Sequence, residues 1–143
     1  MTVQPYLFFN GRCEEAIAFY RTALDAEVQD LMRFKDAPPD PTGKPVEGCA
    51  PPPGSEDKIM HCGLLVGGAL VMASDGMSQG DATFQGFSLA VSVADEATAR
   101  RYFHALAEGG QVQMPLGPTF YAKIFGAVAD RFGVSWMIMV PMA

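Results

Sequence analysis

The sequence is short of positive charge. Ten Lys and Arg stand against sixteen Asp and Glu, a formal net charge of −6. The basic residues are scattered, and only Arg100 and Arg101 are adjacent. Phosphate backbones are held by clustered Lys and Arg, so a nucleic-acid partner is not expected. Histidine is scarcer still, with His61 and His104 alone. The three cysteines, Cys13, Cys49 and Cys62, are odd in number and irregularly spaced. They suit a reducing compartment better than a disulfide framework and read as buried small side chains or loop thiols.

Other absences narrow the chemistry. No apolar run reaches membrane-spanning length. The opening MTVQPYLFF has neither a positive n-region nor a cleavage site after a long apolar run. The expectation is a cytoplasmic chain with no membrane partner. G-x-S-x-G, a phosphate loop and a glycine-rich dinucleotide fingerprint are all missing. Cys62 follows His61 directly, so on a strand the two point to opposite faces and form no simple nucleophile–base dyad.

What is present is apolar and patterned. Hydrophobic residues make up 49% of the 143, enough for a sizeable core. Val3 to Phe9 reads as a strand ended by Asn10-Gly11. RCEEAIAFYRTAL reads as a helix with Ala16, Ile17, Tyr20, Ala23 and Leu24 on one stripe, Glu14 and Glu15 in its first turn and Asn10 or a nearby residue as the candidate cap. Ala26 to Phe34 is a strand. Seven of the eleven prolines then fall between Pro38 and Pro53, which makes 35–57 a long loop, either a lid or partner contact or else simply disordered. Lys58 to Val66 and Ala69 to Ser74 form a hairpin about Gly67-Gly68.

The programme then repeats. Phe87 to Val93 is a strand, and Asp95 to Ala107 a helix stopped by Gly109-Gly110. Gln111 to Leu116 is a strand broken by Pro115. Tyr121 to Ala129 and Ser135 to Val140 form a closing hairpin. PYLFFNGRCEEAIAFYRTAL lines up with FSLAVSVADEATARRYFHAL, and each helix ends in Ala-Leu a short way after an aromatic pair. One sheet with one helix leaves an apolar face open, so two halves are needed. The sequence predicts an α+β domain over 1–143 built from βαβββ halves at 1–76 and 86–143, with 77–85 as connector.

A doubled βαβββ unit resembles the vicinal oxygen chelate superfamily of glyoxalases, bleomycin-resistance proteins and extradiol dioxygenases. Within it the chain looks most like the PhnB-like proteins. PYLFFNGRCEEAIAFY, KIMHCGLLVGGALVMASDGM and TFYAKIFGAVADRFGVSWMI carry the resemblance. It implies half-barrel sheets with a shared cleft, commonly completed across a homodimer, and in catalytic members a divalent metal held by His, Glu or Gln. Those ligand positions fall near Pro5, Met72 or Ala73, Phe87 or Ser88, and Met137. Proline and phenylalanine donate nothing to a metal, and a thioether suits a hard cation poorly.

The expectation is therefore a small organic ligand bound in an aromatic-lined cleft without a catalytic metal. No cofactor is expected, with a divalent metal left as the open alternative. His61 and Asp75 are the candidate catalytic residues, as base or hydrogen-bonding groups. Tyr6, Phe8, Phe120, Tyr121 and Trp136 are the candidate ligand-binding aromatics. Asp75 and Asp130 are also suited to turn formation, and His104 to a helix's polar face. Two alternatives stand beside this reading: a metal-dependent lyase or dioxygenase, and a non-enzymatic sequestering or resistance protein.

Overall fold

The structure is a computed structural model describing residues 1–36, 54–76 and 81–142. The chain divides into two compact units, Met1–Ala82 and Thr83–Ala143. Most of the proline-rich loop lies outside the described residues.

The first unit runs β1 (Tyr6–Phe8), α1 (Cys13–Leu24), β2 (Glu27–Arg33), β3 (Ile59–Val66) and β4 (Ala69–Ser74), with a short 3-10 turn at Phe34–Asp36. The sheet order is β1-β4-β3-β2, with β1 parallel to β4 and the other pairs antiparallel. Expected over Val3 to Phe9, β1 is shorter because only Tyr6, Leu7 and Phe8 find partners, at Met72, Ala73 and Ser74. On β2 the register slips between Gln29 and Met32, where Asp30 takes a positive φ of 51°.

Helix α1 covers one face of this sheet. Its stripe of Cys13, Ala16, Ile17, Tyr20, Ala23 and Leu24 is buried, as are Leu7, Cys62, Leu64, Val71 and Ala73 on the strands. Each large apolar side chain of that layer contributes roughly 1.5–3 kcal/mol. The expected Asn10 cap does not form. Position Arg12 caps with no side-chain hydrogen bond, while Asn10 takes a left-handed φ of 49°. The helix N-terminus is instead served from the end of β4, by Asp75.

The second unit repeats the topology with β5 (Leu89–Ser92), α2 (Glu96–Ala107), β6 (Gln111–Gly117), β7 (Ala122–Ala129) and β8 (Ser135–Pro141), in sheet order β5-β8-β7-β6. Again the first strand is parallel to the last. Here Asp95 caps α2 directly by accepting Thr98 N–H at 2.7 Å. Pro115, expected to break the strand, lies within β6. This is an edge strand whose register slips between Met114 and Gly117, so the missing N–H leaves no central ladder bond unmade.

Two glycines are forced by close approach. A Cβ at Gly110 would overlap the Ala129 carbonyl oxygen. One at Gly126 would lie 2.8 Å from both Phe103 and Leu116 side-chain atoms, so α2 sits directly on the backbone of β7.

Candidate ligand-binding site

Strand alternation decides which side chains leave the α1-covered face. Leu7, Cys62 and Ala73 point to the helix layer, so their neighbours Tyr6, Phe8, His61 and Met72 point the other way. Met32 joins them, because it sits directly opposite His61 on β2. On this face Tyr6 reaches across β4, and its hydroxyl lies 3.0 Å from His61 Nδ1. The Tyr6 and His61 ring centroids are 5.6 Å apart, and Tyr6 and Phe8 are 5.0 Å apart. Phe8 is 53% exposed and Tyr6 36%. The result is an open aromatic and thioether surface with one imidazole set into it.

Asp75 is close in sequence but does a different job. It is buried, and its carboxylate accepts three backbone N–H groups: Gly11 and Cys13 at 2.8 Å on Oδ1, and Ile59 at 2.7 Å on Oδ2. A carboxylate so engaged ties the start of α1 to β3 and β4. With both oxygens taken by backbone N–H groups, Asp75 makes no hydrogen bond to His61 among the described residues.

In the second unit Phe120 is 93% exposed and packs edge-on against Tyr121, which packs in turn against Phe125. Trp136 departs from the expected ligand-binding set. It is buried on the α2 side, and its indole N–H donates to Asp130 Oδ2 at 2.9 Å. Asp130 also accepts Phe132 and Val134 N–H, so its turn role holds. His104 is exposed on α2, edge-on to Phe103.

A second charged cluster surrounds α1, bordering a groove of about 790 Å³. Arg33 pairs with Glu14 and donates to the Asp57 carbonyl, Lys35 pairs with Asp57, and Lys58 donates to the Gly11 carbonyl. Lys35 holds the Asp57 carboxyl below its usual range, and Asp57 in return raises Lys35. Sequence reasoning did not group these residues, since they come from α1, β2 and the segment before β3.

The donor set does not fit the metal that the fold family implies. Met72 and Met137 offer only thioethers, and Met137 lies between Ala90 and Ala127. Among the described residues no three His, Cys, Asp or Glu side chains gather as metal ligands. No helix among them is long and apolar enough to cross a membrane.

Two four-stranded sheets, each with one helix and the same strand order, define a glyoxalase/bleomycin-resistance fold. A solved glyoxylase/bleomycin resistance protein/dioxygenase domain from Frankia sp. EAN1pec shares that fold, with TM-score 0.60 at 15% identity over 98% of this chain and 94% of that one. Within it, the chain belongs to the PhnB-like family whose model is described as 3-demethylubiquinone-9 3-methyltransferase and matches residues 1–139. It is 36% identical to Protein YjdN of Escherichia coli (strain K12), over 98% of this chain and 95% of that protein. It is 41% identical to the solved protein PA1353 from Pseudomonas aeruginosa, with TM-score 0.80 over 100% and 99% of the two chains. A solved chain from Bacillus cereus, described as a putative 3-demethylubiquinone-9 3-methyltransferase, PhnB protein, is 29% identical, with TM-score 0.76 over 98% and 99%.

Proposed function

We propose that the chain binds a small organic ligand on the surface formed by Tyr6, Phe8 and His61, without a catalytic metal. The observation that carries this reading is the Tyr6–His61 hydrogen bond within an exposed aromatic group. Exposed aromatic surface with one polar group suits an apolar molecule that needs orienting. His61 supplies the polar contact and Phe8 the area. The alternative of a metal-dependent lyase or dioxygenase finds thioethers where it needs hard donors.

The methyltransferase description of the family has no counterpart in this architecture. Methyl donors of the nucleoside type are commonly cradled by a glycine-rich loop after the first strand of a doubly wound parallel sheet. Here each sheet has a single parallel pair, and Asn10-Gly11 leads into α1 with its N-terminal amides held by Asp75.

A homodimer belongs to the same reading. Phe120, Tyr121 and Met114 are exposed apolar side chains of the second unit, and burial against a second copy would remove them from water. Sedimentation equilibrium tests this, with a stable monomer at micromolar concentration as the opposing result. Ligand binding is tested by ligand-observed NMR with an aromatic fragment set on chelator-treated protein. Saturable binding lost in Phe8→Ala and weakened in His61→Ala supports the reading. Binding unaffected by either variant contradicts it.

A further inference from the structure

We propose that Tyr6 is a positioning residue that holds His61 as the Nε2–H tautomer, so that the site selects an uncharged ligand with an oxygen acceptor. This rests on the ligand-binding reading above and deepens it. A phenol O–H is a stronger donor than a neutral imidazole N–H, and an imidazole nitrogen is a stronger acceptor than a phenol oxygen. The better match across the 3.0 Å contact is therefore Tyr6 O–H donating to His61 Nδ1. With its Nδ1 lone pair engaged, the neutral ring carries its proton on Nε2. His61 then presents a donor to a ligand and is not poised as a general base at that nitrogen.

The surroundings decide the charge of the ligand. Met32 and Met72 share the face with Tyr6, Phe8 and His61 and bring no charge. The cations Arg33, Lys35 and Lys58 are committed to Glu14, Asp57 and the Gly11 carbonyl. Among the described residues of this unit, an anion on this face would meet the N–H of the neutral ring and aromatic or thioether surface. A cation would meet a donor at His61, leaving the ring faces of Tyr6 and Phe8 to attract it. An aromatic ketone or similar neutral carbonyl compound matches both the donor and the apolar area.

The chain has only two histidines, so histidine-selective 15N labelling gives two rings to follow, assigned with His104→Gln. Long-range 15N–1H spectra of the neutral ring should show His61 as Nε2–H, and Tyr6→Phe should convert it to a mixture of tautomers. A predominant Nδ1–H form, or a tautomer unmoved by Tyr6→Phe, overturns the positioning role. Acetophenone and benzoate are then titrated while His61 is observed. Acetophenone should shift His61 saturably and bind more tightly than benzoate, and Tyr6→Phe should weaken it by about threefold to tenfold, the equivalent of one ordinary hydrogen bond. Tighter binding of benzoate overturns the ligand class. No saturable shift with either probe overturns the ligand-binding reading and the ligand class with it, whichever tautomer is found.

Discussion

Asp75 accepts the backbone N–H of Cys13 at 2.8 Å, so the residue that ends β4 holds the first turn of α1. The same oxygen takes Gly11 N–H, and the other takes Ile59 N–H. Three elements meet on one buried side chain. Asp75→Ala would leave three inward N–H groups without their acceptor and should cost about 3 kcal/mol or more. Asp75→Asn should cost less, because its amide oxygen can still serve Gly11 and Cys13 while its NH₂ opposes Ile59. Urea denaturation of the two variants checks the order. If Asp75→Ala unfolds at the wild-type midpoint, the anchoring role is wrong.

Cys13 and Cys62 are both fully buried, one on α1 and the other on β3. The hydrogen bond to Cys62, then burial, raises the pKa of the Cys13 thiol. The same bond lowers Cys62, but a thiol that a reagent cannot reach does not react in either protonation state. Neither should react with an aromatic disulfide reagent at pH 8 until the protein unfolds. Peptide mapping after labelling should find both unmodified in native protein and modified in urea.

The backbone approach at Gly110 predicts a sharp penalty. In Gly110→Ala the new methyl must move the Ala129 carbonyl or the end of α2. Overpacking of this kind costs about 1–3 kcal/mol. Gly133 provides the control, since a Cβ there meets no atom within 4 Å. Its positive φ of 90° still adds strain, so Gly133→Ala should also destabilise, with the loss coming from backbone conformation alone. Thermal unfolding should rank Gly110→Ala as the more damaging change.

Asp95 links helix α2 to pH. The Thr98 N–H holds the Asp95 carboxyl below its usual range. Its stabilising effect is therefore complete above the unfolded carboxylate pKa of about 3.9, and it fades as pH falls through the lower folded value. Asp95→Asn keeps a capping oxygen but no titrating group. The stability gap between wild type and Asp95→Asn should shrink in acid, and a gap constant from pH 7 to pH 2 would contradict the assignment.

The fold was largely legible in the sequence because its signals are local and doubled. The stripe from Ala16 to Leu24, the turn at Gly67-Gly68 and the repeated Ala-Leu helix ends each depend on nearby residues. The strand extents were less legible. The length of β1 is set by how far β4 runs beside it, and Pro115 persists in β6 only because that strand is an edge. The site divided in the same way. His61, Tyr6 and Phe8 were visible as polar and aromatic residues on alternating strands, although the Tyr6–His61 contact spans β4 and needed the sheet order. Asp75 and Trp136 carry a structural reading in sequence as well, a turn for one and burial in an apolar strand for the other. Their roles follow from distant partners, the α1 amides for one and the Asp130 carboxylate for the other.

On the proposed reading, the Tyr6–Phe8–His61 surface binds a small organic molecule without a metal. The most direct test is the affinity of acetophenone for purified protein before and after chelator treatment, with metal content measured on both samples. Saturable binding of equal strength is expected in the two, lost in Phe8→Ala. Stoichiometric tightly bound metal whose removal abolishes binding would contradict it.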